Sequence, residues 1–421
     1  MEYPAQISDV IEEITPPTQA SVAWIAVAVA ALGYFVDVFD MWLFANFRVP
    51  SLTALGVSGS AITETGAFLI NCQQVGFLLG GFVWGIMGDK RGRVSVMFGS
   101  ILLYSIATLL NSFVTSVEQY AILRLLTGFG LAGEIGAGIT LVSELLPRDK
   151  RGYGTTIVAT LGVAGAIAAA YVGKIMLWKH AFILGGSMGL VLLLMRLAVY
   201  ESGMYSAMPR TDNIRRGSLK TLFGNRSRIG RFVSCIILGI PIYLVFGLLI
   251  TFSPEIGSAL GMTERLSVPD VMIWGSIGIT AGDLCSGLLS QKMRSRKRPI
   301  AIFLAIGFVL SLFLLSGCLS TARGYCITVG IIGTCTGYWA CLITTIAEQF
   351  GTNLRATVTT SVPNLIRASS IPLNLAFVQL TSIGSPITAA LWLTIIYFGL
   401  AFIGLLSLKE TYGADLDYLE K

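Results

Sequence analysis

Apolar stretches of roughly 20 residues follow one another almost without a break along this chain, each the length a helix needs to cross a bilayer. They fall at 22–47, 64–88, 94–115, 118–146, 153–174 and 178–200. After a polar stretch from Glu201 to Gly230 they resume at 231–253, 268–291, 299–318, 323–348, 355–381 and 385–408. Hydrocarbon offers the backbone no hydrogen bonds, so segments this long can lie in it only as helices. Charged residues make up 12% of the 421 and hydrophobic ones 54%. A soluble domain carries about a quarter charged residues to face water. The expectation is therefore an all-α membrane protein with twelve transmembrane helices, kinked at Pro241 and Pro372.

Lys and Arg distribute unequally between the loops, which sets orientation. One set holds Lys90, Arg91, Arg93, Arg148, Lys150, Arg151, the basic residues of 201–231, Lys292 to Arg298, and Arg355. The other holds only Arg48, Lys174, Lys179, Arg265 and Arg323. This predicts both termini in the cytoplasm and a multi-pass protein of the plasma membrane, the inner membrane of a bacterium. The polar, acidic start, with Glu2, Asp9, Glu12, Glu13 and Pro16–Pro17, does not have the basic-then-apolar form of a cleavable signal. The net charge of +6 is then a topology signal, and nucleic acid is not an expected partner. Anionic lipid heads are possible partners of the basic linker. The one histidine, His180, argues against a histidine metal site or a catalytic triad, so neither cofactor nor metal is expected.

Three landmarks occur twice in the same order. Gly85-Ile86-Met87-Gly88-Asp89-Lys90-Arg91-Gly92-Arg93 packs charge into a very short turn, and Gly287 to Arg296 echoes it with Gln291 in place of the aspartate. Glu144 stands seven residues before Arg151, as Glu348 stands before Arg355. Glu201-Ser202 closes one half and Glu410-Thr411 the other. Two tandem six-helix units account for the repeat. The expected division is a cytoplasmic tail at 1–21, a bundle at 22–200, a linker at 201–230, a second bundle at 231–408 and a tail at 409–421.

On these motifs the chain resembles the major facilitator superfamily over nearly its whole length. Gly85 to Arg93 matches the family signature between helices two and three, and Arg124-Leu125-Leu126-Thr127-Gly128-Phe129-Gly130 the fourth-helix pattern. Glu144 to Gly152, with Glu201-Ser202, is similar to the sugar-porter and metabolite–proton symporter branches. The resemblance implies two pseudo-symmetric six-helix bundles around a central cavity, opened to either side in turn. Gly128, Gly130, Gly133, Gly136 and Gly138 of helix four would supply a small-residue surface for the two halves. Gly85, Asp89, Arg93, Glu144, Arg151, Glu348 and Arg355 read as gate and scaffold groups at cytoplasmic helix ends.

Ionisable groups at membrane depth are functional hypotheses by default. Asp37 and Asp40 lie three apart, as on one helix face, and resemble the aspartate pair of the aromatic-acid–proton symporters, with Val38 where those have glycine. Arg124 lies at a depth similar to Asp40, and the likeness to proton-linked sugar porters implies that the two pair. Glu134 reads either as a second proton site or substrate contact, or as a buried structural group. Tyr34, Asn71, Gln74, Tyr243, Asp283, Tyr338, Trp339, Asn364 and Arg367 are the candidate substrate contacts, with Trp274 a further cavity aromatic.

The expected function is proton-coupled symport of a small polar metabolite, an organic acid ahead of a sugar, by a monomer. Proton-driven export of a drug or siderophore is the rival, and Thr160 to Ala166 has no proline of the kind drug antiporters carry there. An uncoupled facilitator is a third reading. No nucleophile–base pair suggests an enzyme.

Overall fold

The structure is a computed structural model that describes residues 19–91, 93–134, 151–201 and 222–412. The first half comprises α1 (Gln19–Ala54), α2 (Ala61–Arg91), α3 (Arg93–Asn111), α4 (Val117–Leu131), α5 (Arg151–Ile175) and α6 (Trp178–Glu201). In the second half α7 (Arg226–Leu244) runs on as a wider π-helical stretch, Val245–Ile250, before the short α8 (Ser253–Ala259). α9 (Val268–Met293) and α10 (Lys297–Leu315) follow. The next two spans are each broken once, into α11 (Ala322–Thr336) with α12 (Trp339–Glu348), and α13 (Thr352–Ala368) with α14 (Ser370–Ile383). α15 (Pro386–Ser407) completes twelve crossings. Among the described residues eight of them are long and apolar enough to cross a membrane unaided, and α3 and α5 contain shorter apolar helices. This is an integral, multi-pass membrane protein.

The breaks have local causes. Pro372 has no N–H to offer the carbonyl four residues back, and the α13–α14 break falls at Ser369, whose N–H still bonds Leu365 at 3.0 Å. Pro241 lies inside α7, four residues before the π-helical stretch, where Thr251 Oγ1 returns a hydrogen bond to the Phe246 carbonyl at 2.7 Å.

Packing repeats between the halves. α1 lies along α5 as α7 lies along α13, α2 along α4 as α9 along α11, and α3 along α6 as α10 along α15. The halves then meet along two seams, α2 with α13–α14 and α5 with α9, which the same pseudo-twofold interchanges. The glycines carry the repeat in detail. A Cβ on Gly128 would stand 2.0 Å from the Gln73 carbonyl oxygen, and one on Gly278 1.9 Å from that of Gly330. Small residues let backbones touch where lipid provides no hydrophobic drive. This corrects the expectation for helix four. Gly128, Gly130 and Gly133 face Gln73, Tyr104 and Ser100, so these glycines serve packing within their own half. Gly136 and Gly138 lie outside the described residues.

Candidate functional site

A cavity opens between the halves. α1 contributes Tyr34, Val38, Met41 and Trp42, α5 Val163 and Ala166, and α7 with its π-helical extension Ile242, Tyr243 and Phe246. Ile279 and Asp283 come from α9, Trp339 from the start of α12 and Arg367 from the end of α13. With its open mouth included, the empty space is about 530 Å³. Tyr34 can sit at the wall because Gly162 of α5 leaves room: a Cβ there would lie 2.0 Å from the ring. Trp42 and Phe246 meet across the halves with ring centroids 5.1 Å apart.

The charged heart of the site is Arg367 with Asp37. Arg367 Nη2 donates to Asp37 Oδ2 at 3.4 Å, with side-chain exposures of 1% and 0%. Arg367 Nε donates to the Tyr243 hydroxyl at 3.1 Å, and its guanidinium lies 4.8 Å from the centre of the Phe77 ring. Arg367 Nη1 and Asp37 Oδ1 have no hydrogen-bond partner. Charges placed away from water are normally satisfied in full. The unused donor and acceptor therefore mark capacity held for something else.

Asp40 does not join them. Positions three apart on a helix are rotated by about 60°, enough here to give the two aspartates different neighbours. Asp40 accepts from Thr108 of α3 inside the first half. The expected Arg124–Asp40 ion pair is not formed: Arg124 donates from Nε to Asn111 at 3.2 Å and from Nη2 to Thr127 at 3.4 Å. Its guanidinium sits among Phe44, Tyr120 and Phe182, 5.1 Å from the last ring. Aromatic faces stabilise a buried cation without neutralising it. Asp40 still lies in its field.

Glu134 pairs with Arg196 of α6 through a two-pronged contact, one prong of 3.0 Å, both side chains 2% exposed. Gly33 of α1 makes space for it, since a Cβ there would lie 2.2 Å from Arg196 Nη2 and 2.3 Å from Glu134 Oε1. Arg196 escaped the sequence reading although it lies inside an apolar span, a position that itself signals a buried charge.

The remaining candidates separate. Asn71 accepts from Asn374 at 2.9 Å across the α2–α14 seam, and Asn364 donates to the Ala132 carbonyl at 3.4 Å. Gln74 is buried with its Oε1 unpartnered. Tyr338 is fully buried in the second half and donates to the Leu238 carbonyl at 2.9 Å, so it packs and does not line the cavity. Trp274 is 41% exposed on the outside of α9, where the expected cavity aromatic would have to point inward. Trp42 and Phe246, unmarked in the sequence, take that role.

Among the gate candidates, Glu348 accepts a forked pair of bonds from Arg296 at 2.9 and 3.2 Å and another from Thr411 at 2.7 Å. Beside it Glu410 caps the start of α10 through the N–H groups of Arg296, at 2.8 Å, and Lys297, at 3.3 Å. Gly85 and Asp89 fall within α2, Arg93 and Arg151 at the starts of α3 and α5, and Arg355 within α13. Their side chains, and Glu144 entirely, lie outside the described residues.

At the face opposite the termini the halves are latched. Arg48, fully buried at the end of α1, donates to Glu255 of α8 at 2.8 Å and to the Thr251 carbonyl at 3.2 Å. Thr63 of α2 donates to the same Glu255 oxygen at 3.0 Å. On the other flank Lys174 of α5 meets Asp270 of α9 at 2.5 Å, both 44% exposed. None of these groups entered the sequence reading as a site, because Arg48 and Lys174 scored only as loop charge.

Twelve crossings in two pseudo-symmetric halves, around a cavity with a buried cation and anion, define a membrane carrier of small solutes. The chain belongs to the Major Facilitator Superfamily, whose family model matches residues 30–372. It is 24% identical over 361 residues to the sialic acid transporter NanX of Escherichia coli, covering 84% of this chain and 85% of that protein. It is 25% identical over 337 residues to the 3-(3-hydroxy-phenyl)propionate transporter of the same organism, covering 75% and 79%. A shorter match, 30% over 190 residues, covers 43% of the chain and 41% of the 4-hydroxybenzoate transporter PcaK of Pseudomonas aeruginosa. The protein is therefore a transporter of small metabolites and not an enzyme.

Proposed function

We propose that this protein is a proton-coupled symporter of a small organic acid, working by alternating access. The observation that carries the reading is the buried Asp37–Arg367 pair, which joins the halves at the cavity and leaves one donor and one acceptor unused. A substrate carboxylate entering the cavity competes with Asp37 for Arg367, because a planar guanidinium can bind a carboxylate through two parallel bonds. Asp37 is then left as an uncompensated charge out of water, and taking up a proton neutralises it. Acid anion and proton load together, and the halves are freed to rock. Named relatives that move aromatic acids and a sialic acid support an acidic substrate.

The halves are taken as residues 22–200 and 231–408, with a linker over 201–230 whose last residues, from Arg226, already belong to α7, and tails at 1–21, whose last residues from Gln19 begin α1, and 409–421. The Lys/Arg asymmetry supports cytoplasmic termini in a bacterial inner membrane, which makes the Arg48–Glu255 latch extracytoplasmic. Each monomer carries a complete pathway. Asp40 and Glu134, held by Thr108 and Arg196, tune the field around Asp37.

The test is uptake into liposomes under an imposed proton gradient. Wild-type protein should accumulate an organic acid and stop when the gradient is collapsed. Asp37→Asn should lose accumulation yet retain exchange of labelled for unlabelled acid. Accumulation that survives collapse of the gradient would make the protein a facilitator.

A further inference from the structure

The exchange just described leaves one cavity charge unused. Asp283 of α9 lines the same cavity as Arg367, while the buried acids Asp40 and Glu134 are engaged elsewhere, with Thr108 and with Arg196. Its position follows from a break in the opposing helix. Gly337 ends α11 where a Cβ would lie 2.5 Å from the Ile279 carbonyl and 2.7 Å from the Asp283 backbone nitrogen. The chain restarts as α12 at Trp339, and Tyr338 gives that start no side-chain cap. Helix N-termini present N–H groups without partners and a partial positive charge, which lipid cannot satisfy. Asp283 supplies the cap from the neighbouring helix, Oδ1 accepting from Ala340 N–H at 3.1 Å.

A carboxylate has room for about four hydrogen bonds, and the cap leaves the rest for the cavity. Arg367 brings an independent sign of a ligand, since its Nη1 is buried and unpartnered at the same cavity. The cavity lining is thus bipolar, with a cation on α13 and an anion on α9, and it also carries the aromatic side chains of Trp42, Phe246 and Trp339. Tyr34 lies within the electrostatic reach of both charges.

We infer that the cavity selects aromatic acids that carry a hydrogen-bond donor on the edge opposite the carboxylate. The carboxylate goes to Arg367, the ring between the aromatic walls, and the O–H or N–H to Asp283. The inference rests on the reading of the protein as an organic-acid symporter and makes that reading more specific. A donor-free acid leaves Asp283 facing apolar ring, whereas a hydroxyl gains a charge-assisted bond.

The experiment is equilibrium binding of benzoate, 4-methoxybenzoate, 3-hydroxybenzoate and 4-hydroxybenzoate to the purified full-length protein, wild type and Asp283→Asn. Asparagine keeps a carbonyl to cap α12 but removes the charge. The wild type should bind one of the hydroxybenzoates at least tenfold more tightly than benzoate and 4-methoxybenzoate, and D283N should bring that ratio close to one. Equal binding of all four acids by the wild type would overturn the inference, as would full discrimination by D283N. If D283N does not fold, Asp283→Glu takes its place, with a changed preference between the 3- and 4-hydroxy isomers expected and an unchanged one overturning. Benzoate binding that depends on Arg367 but ignores the hydroxyl would sink this inference alone. Failure of the wild type to bind any of the four would sink the organic-acid reading beneath it as well.

Discussion

Arg48 and Glu255 are 207 positions apart in the chain and 2.8 Å apart in space, one in each half, with the guanidinium wholly buried and lying 4.8 Å from the centre of the Phe252 ring. Removing one partner of such a pair strands the other, at about 3–5 kcal/mol. Separating both into water restores their hydration, which is what lets a latch open. Glu255→Gln should therefore favour the state open at this face. Labelling of a cysteine placed at Val163 in a cysteine-free background, by a membrane-impermeant thiol reagent, should accelerate at least tenfold. The reversed pair Arg48→Glu with Glu255→Arg should slow it again. An unchanged rate would remove the latch role.

The companion contact on the other flank should matter much less. Lys174 and Asp270 are each 44% exposed, and exposed pairs contribute about 0–1 kcal/mol. Lys174→Gln should change the same labelling rate less than about fivefold, with an effect that fades in high salt.

The Glu134–Arg196 pair offers a test by double-mutant cycle. Arg196→Met leaves a carboxylate unpaired beside Gly33 and should lower stability by about 3–5 kcal/mol. Adding Glu134→Gln should restore part of the loss, read as recovered thermal stability in detergent. A double variant worse than the sum of the single ones would contradict the pairing.

Glycine at the α9–α11 crossing should resist replacement. Gly278→Ala forces a methyl onto a backbone oxygen 1.9 Å away, and overpacking of this kind costs about 1–3 kcal/mol. Gly399 of α15, with nothing within 4 Å of a Cβ, is the control. Alanine there should leave the melting temperature unchanged or slightly higher.

Glu410 gives a pH dependence outside the membrane. Partial burial works against its ionisation, but the Ser295 hydroxyl and the N–H groups of Arg296, Tyr412 and Lys297 outweigh it and hold the carboxyl at about 2, below its ordinary 4.5. A lowered folded-state value stabilises above the unfolded one, and that stability is lost as pH falls from 4.5 towards 2. Glu410→Gln should therefore melt lower than wild type at pH 6, with the gap narrowing by pH 3.

The twelve spans and the repeat were legible from residue counting, because bilayer thickness acts on the chain one segment at a time. Rotation and partner choice were not. Counting placed Asp40 level with Arg124, but the side chains turn to Thr108 and to Asn111 instead. Asp37 found its cation on α13, 330 positions away, a distance no local pattern encodes. Tyr243, Asp283, Trp339 and Arg367 converge on the cavity from four different spans, whereas Tyr338, one position from Trp339, turns into the core because Gly337 has broken the helix between α11 and α12.

The sequence of α13, TNLRATVTTSVPNLIRA, has too little hydrophobicity to partition into lipid on its own. It is held between α2 and α7, each a crossing apolar enough to enter first. During biogenesis this segment must therefore wait for its neighbours, and a ribosome releasing it early would deliver a helix with no home. The polarity that equips the pathway also fixes an order of assembly, in which Arg367 reaches its place only after α2 and α7 are in theirs.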